Sequence, residues 1–85
     1  MQTPNELLRN GEFFMLKVII SDDEVKVIQL IRYLVSWDQF DMQIAGTAND
    51  GQKALELICA EKPDIVITDI RMPSIDGIQL IQRTL

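Results

Sequence analysis

Hydrophobic and polar positions fall in blocks along this chain, and each block has its own period. Leu16–Ser21 (LKVIIS) is a short run rich in β-branched residues. Such a run predicts a strand buried on both faces. Val27, Leu30, Ile31, Leu34 and Val35 then recur at i, i+3, i+4, i+7 and i+8, which predicts an amphipathic helix with those five residues inward. Asp22, Asp23 and Glu24 lie before or in its first turn, where negative charge suits the helix dipole. Residues 36–41 (SWDQFD) end that helix. Met42–Ala48 (MQIAGTA) predicts a second, weaker strand, and residues 49–51 (NDG) a turn and a cap. A second helix follows over residues 52–61, with Ala54, Leu55 and Ile58 inward, and Lys62-Pro63 stops it. Residues 64–69 (DIVITD) predict a third strand, residues 70–77 (IRMPSIDG) a loop punctuated by Pro and Gly, and residues 78–85 a third helix. Strands alternating with helices imply an α/β fold with a parallel sheet and right-handed crossovers.

Composition narrows the chemistry. With 85 residues there is room for one small domain with a modest core. The chain has no histidine and one cysteine, Cys59. Imidazole bases, imidazole metal ligands, an internal disulfide and multi-cysteine metal sites are therefore excluded within this sequence. A net charge of −5 disfavours direct contact with nucleic acid or an anionic membrane and favours cations. No apolar run reaches membrane-spanning length, and the first residues lack a signal-peptide plan, so a cytoplasmic location is expected. Cys59 is expected to be semi-buried on its helix, and Trp37 and Phe40 to cover the base of the sheet.

The candidate chemistry lies in carboxylates. In an open parallel sheet, ligand sites form outside the carboxyl ends of the strands, at a switch point in strand order. Asp22 and Asp23 follow the first strand, and Asp69 ends the third. If those strands are neighbours, in the order 2-1-3, the three carboxylates converge. Taken singly, an aspartate after a strand is a loop starter or a helix cap. Together they form a repulsive cluster: two unit charges about 4 Å apart cost roughly 4 kcal/mol at an effective dielectric near 20. A hard cation such as Mg²⁺ relieves this. A carboxylate in that setting can also attack phosphorus.

The stretches VIISDDE, AGTANDGQKALELI and KPDIVITDIRMPSIDG closely resemble the receiver domain of bacterial two-component response regulators. The likeness covers residues 16–85. With SWDQF after the first helix, the chain looks most like receivers joined to AraC-type DNA-binding output domains. The resemblance implies a CheY-like, flavodoxin-like three-layer sandwich, here with its first three βα units. It implies that Asp69 accepts phosphate from a sensor histidine kinase. It further implies that Asp22, Asp23, Asp69 and the main-chain carbonyl of Arg71 hold Mg²⁺, with Asp22 bound directly or through water. Such a module is a phosphoacceptor rather than an enzyme, and DNA binding would belong to an output domain outside this sequence.

The family pattern also includes a fourth strand ending in Ser or Thr and a fifth ending in Lys, and neither occurs in these 85 residues. Thr84 on the third helix and Lys17 at the wrong end of the first strand are no substitutes. The reading is therefore a C-terminally truncated receiver over residues 15–85. Its third strand would be an open edge that invites self-association. The alternative is an inactive metal-binding or protein-binding remnant. A haloacid-dehalogenase-like phosphatase is disfavoured because Arg71 stands where that family needs a second Asp. A dinucleotide-binding half-domain fails for lack of a glycine-rich first turn. Residues 1–14 differ in character from the rest. Gly11-Glu12 can be encoded by purine-rich codons like a ribosome-binding site, spaced by two Phe codons from Met15. Residues 1–14 are thus expected to be translated leader sequence, with Met15 as the natural start; the alternative is a genuine N-terminal extension.

Overall fold

The computed structural model describes residues 15–85; the expected leader over residues 1–14 lies outside the described residues. The elements follow in the order β1 (Leu16–Ser21), α1 (Val25–Leu34), a short 3₁₀ helix (Trp37–Phe40), β2 (Met42–Ala48), α2 (Gly51–Glu61), β3 (Ile65–Thr68) and α3 (Gly77–Thr84). The sheet is parallel, as the alternation of strands and helices predicted, and its order is β2-β1-β3, the order the family resemblance implied. The switch in strand order therefore falls between β1 and β3.

Burial explains this arrangement. Val18, Ile19 and Ile20 at the centre of β1 are 0% exposed. Alternation along the strand turns Val18 and Ile20 to one face, where they meet Ile28 of α1 and, around it, Ile31, Trp37, Met42, Ile44 and Ile65. On the other face Ala48, Ala54, Ile75 and Leu80 form a second cluster, flanked by Leu55, Leu57, Ile58 and Met72. Each fully buried aliphatic side chain contributes roughly 1.5–3 kcal/mol, so β1 is the main apolar anchor of the fold. Register shifts once between β1 and β2: Val18 pairs with Ile44 but Ile19 with Gly46, leaving Ala45 as the extra residue of a bulge.

Local signals set the helix ends. The Asp50 side chain accepts from the Lys53 N–H at 2.8 Å and caps α2. That helix ends at Lys62, whose φ of 48° is left-handed, just ahead of Pro63. α3 opens with a capping box, in which Asp76 accepts from the Gln79 N–H and the Gln79 side chain accepts from the Asp76 N–H. α1 has no such cap on Glu24. Instead Asp22 Oδ1 accepts from the Glu24 N–H at 2.9 Å.

Three expectations need correction. Of the five residues expected inward on the first helix, Val27, Ile31 and Val35 are half-buried and Leu30 and Leu34 are exposed, while the buried residue of α1 is Ile28. The apolar arc of α1 is wider than the flank the three strands cover, so the sequence period alone misplaces its centre. Phe40 is exposed, whereas Trp37 packs as expected and donates its indole N–H to the Arg32 carbonyl at 3.1 Å. Cys59 is exposed rather than semi-buried. Among the described residues no helix is long and apolar enough to cross a membrane.

Among the described residues β3 pairs with β1 alone, so its other edge is open, and Val66 and Ile67 are exposed. An unpaired edge with apolar side chains is a template for another strand. The 85-residue chain is expected to self-associate in sedimentation velocity, with weight-average mass rising with concentration. A sharp monomer at high concentration with cooperative unfolding would contradict this.

Candidate metal and phosphoacceptor site

The geometry of the candidate site follows from the last pair of the β1–β3 ladder. Ser21 stands opposite Thr68, and the Asp69 N–H donates to the Ser21 carbonyl at 3.0 Å. On the other side the Asp22 N–H donates to the Ala48 carbonyl at 3.1 Å. The chain leaves both strands at this point, so Asp22, Asp23 and Asp69 emerge at the same end of the sheet. One carboxylate oxygen from each lies within 4.8 Å of the other two. Asp23 is exposed, and Asp22 and Asp69 are half-buried. The convergence expected from the strand order is therefore present.

The donor set suits a hard cation. Mg²⁺–oxygen distances of about 2.1 Å place octahedral ligands roughly 3 to 4.2 Å apart. Three carboxylate oxygens within 4.8 Å of one another need little closure, or one intervening water, to match that spacing. Asp22 already accepts the Glu24 N–H through Oδ1, and a carboxylate has further lone pairs to offer. Arg71, whose carbonyl is the fourth expected ligand, lies two residues after Asp69 in the loop before α3.

That loop is held tightly. The Gly77 N–H donates to the Ile70 carbonyl at 2.7 Å. A Cβ on Gly77 would sit 2.2 Å from the Asp69 carbonyl oxygen, so only glycine allows α3 to start this close to β3. The Pro73 carbonyl accepts from the Gly51 and Ile75 N–H groups, tying the same loop to the start of α2. Asp76 and Gly77, placed by their sequence in a loop punctuated by Pro and Gly, cap α3 and set this close approach.

Among the described residues no cation pairs with the cluster. The one ion pair among the described residues joins Lys17 to Glu61 at 3.8 Å, at the opposite end of β1. Thr84 is engaged with the Leu80 and Ile81 carbonyls of its own helix. Among the described residues no cation offsets the mutual repulsion of the three carboxylates. In metal-free buffer at neutral pH and low salt, Asp23→Asn is expected to raise unfolding stability by about 1 kcal/mol, the Coulomb energy of one such pair in near-aqueous surroundings. High salt should erase the gain. Urea denaturation decides this; a loss of stability would contradict it.

The family pattern described as "Response regulator receiver domain" matches residues 18–84. An uncharacterized response regulatory protein of Staphylococcus epidermidis is 43% identical over 67 residues, covering 79% of this chain and 27% of that protein. The receiver domain of AraT, a response regulator from Geobacillus stearothermophilus, superposes with a TM-score of 0.80 at 36% identity, covering 82% of this chain and 54% of the other. CheY in the CheX–CheY–BeF₃–Mg²⁺ complex from Borrelia burgdorferi superposes with a TM-score of 0.70 at 29% identity, covering 94% and 59%. This chain thus spans about a quarter of the length of the matched Staphylococcus protein and about half of the matched receiver structures. From the match over residues 18–84 and the shared β2-β1-β3 architecture, the chain belongs to the response regulator receiver domain family of two-component systems.

Proposed function

We propose that this chain is the phosphoacceptor part of a receiver, in which Asp69 takes a phosphoryl group from a sensor histidine kinase with Mg²⁺ bound beside it. The observation that carries the reading is the meeting of three carboxylates at the ends of two adjacent strands. Asp22, Asp23, Asp69 and the Arg71 carbonyl would hold the ion. When bound, Mg²⁺ would offset the negative charge of the transferring phosphoryl oxygens. In the transfer, an Asp69 carboxylate oxygen bonds to the phosphorus of a phosphohistidine. The P–N bond breaks, its electron pair stays on the imidazole, and a mixed anhydride remains on Asp69. Asp69 is half-buried and directly follows β3, beside the two other carboxylates. The presence of BeF₃ and Mg²⁺ in the Borrelia CheY complex supports the reading by likeness. The module acts as a regulatory acceptor in the cytoplasm rather than as an enzyme with its own substrate. Its net charge of −5 argues against DNA contact by this segment.

A second reading rests on one observation: among the described residues no cation pairs with the acidic cluster. Without such a partner the phosphoryl charge has one side of its stabilising clamp missing. A metal-binding or protein-binding remnant without phosphoryl transfer is therefore the alternative.

Intact-protein mass spectrometry after incubation with a small phosphodonor and Mg²⁺ separates the two. Substoichiometric, short-lived addition of one phosphoryl group is expected, dependent on Mg²⁺ and absent in Asp69→Asn. Stoichiometric, long-lived modification would contradict the missing clamp. Addition that persists in Asp69→Asn would contradict the acceptor, and no addition at all would favour the remnant.

A further inference from the structure

A serine ends the most buried strand of this protein. Val18, Ile19 and Ile20 are fully enclosed, and Ser21, at 1% exposure, is the one buried polar residue among the described residues. Its hydroxyl donates to Thr68 Oγ1 at 2.6 Å, and the Thr68 hydroxyl donates in turn to the Asp69 carbonyl at 2.9 Å, with Met72 Sδ a longer alternative acceptor at 3.9 Å. The two residues are register partners, and each immediately precedes an acidic residue of the site.

We propose that Ser21 and Thr68 are positioning residues: their hydroxyl relay locks the ends of β1 and β3 in the register that holds Asp22 and Asp23 against Asp69. The inference rests on the reading of the cluster as a Mg²⁺ site.

Three features support it. First, the relay stands at the final rung of the ladder, where a strand pair frays most easily. The backbone bond from Asp69 to Ser21 and the side-chain bond from Ser21 to Thr68 close that rung twice. Second, the relay ends on the Asp69 carbonyl. Gly77 packs against that same oxygen, and its N–H holds the Ile70 carbonyl. The Asp69–Ile70 peptide is thereby fixed from two sides, and the direction in which the chain leaves toward the Arg71 carbonyl is fixed with it. Third, stability does not require hydroxyls here. Replacing both members of a buried hydrogen-bonded pair by apolar groups of the same shape is close to neutral. An apolar pair would fill the space but would not orient the Asp69 carbonyl. The relay supplies direction, as outer-shell partners do for metal ligands generally.

The test compares Ser21→Ala, Thr68→Val and Thr68→Ser with the unaltered 85-residue chain. Mg²⁺ affinity is measured by calorimetry, the exchange of the Asp69 and Gly77 amides in metal-free buffer by NMR, and stability by urea denaturation. Ser21→Ala and Thr68→Val are expected to weaken Mg²⁺ binding about tenfold and to speed exchange at Asp69. Thr68→Ser, which keeps the hydroxyl, should match the unaltered chain. Unchanged affinity and exchange in Thr68→Val would overturn the proposal. So would equal losses in Thr68→Ser and Thr68→Val, or an affinity loss that only tracks the unfolded fraction. If the unaltered chain binds no Mg²⁺, the site reading fails by itself, and the metal-free exchange rates still decide the relay.

Discussion

Three consecutive side chains of β1, Val18, Ile19 and Ile20, are removed from water altogether, and the rest of the molecule is arranged to keep them so. Alternation sends them to both faces of the sheet, so helices are needed on both sides. α1 covers one face, and α2 with α3 covers the other. With β1 central, β2 and β3 must take opposite flanks, and the strand order switches beside β1. The same constraint that builds the core therefore creates the crevice at the carboxyl ends of β1 and β3.

Into that crevice the chain places charge that the core does not need. Asp22, Asp23 and Asp69 bring three carboxylate oxygens within 4.8 Å without a paired cation among the described residues. Repulsion of this kind lowers stability, and the surrounding structure holds it in place with directional contacts. The Ser21–Thr68 relay, the capping box of α3 and the close approach of Gly77 to the Asp69 carbonyl all act within a few residues of the cluster. Repulsion concentrated at one strand end, against good capping and packing elsewhere, is the pattern expected of a functional site.

Much of this was legible in the sequence because the signals are local. The strand and helix order came from the period of apolar residues, the cap at Asp50 from NDG, and the stop at Lys62-Pro63 from proline chemistry. The acidic cluster was legible because two short motifs end adjacent strands. What the sequence hid depends on pairing. The bulge at Ala45 is a property of how β1 meets β2. The phase of α1 depends on how much of its apolar arc three strands can cover, so Leu30 and Leu34 stayed outside while Ile28 went in. The relay did leave a trace, a lone serine closing an apolar run, but its meaning required knowing that Thr68 stands opposite.

The central claim is that one cation site is formed jointly by the ends of β1 and β3. Paramagnetic relaxation by Mn²⁺, a hard-cation surrogate for Mg²⁺, tests it most directly in a ¹⁵N-labelled sample. The account predicts broadening that starts at substoichiometric Mn²⁺, centres on Asp22, Asp23, Asp69 and Arg71, and is competed away by Mg²⁺. Broadening spread evenly over the other acidic residues, such as Asp38, Glu61 and Asp64, would contradict it.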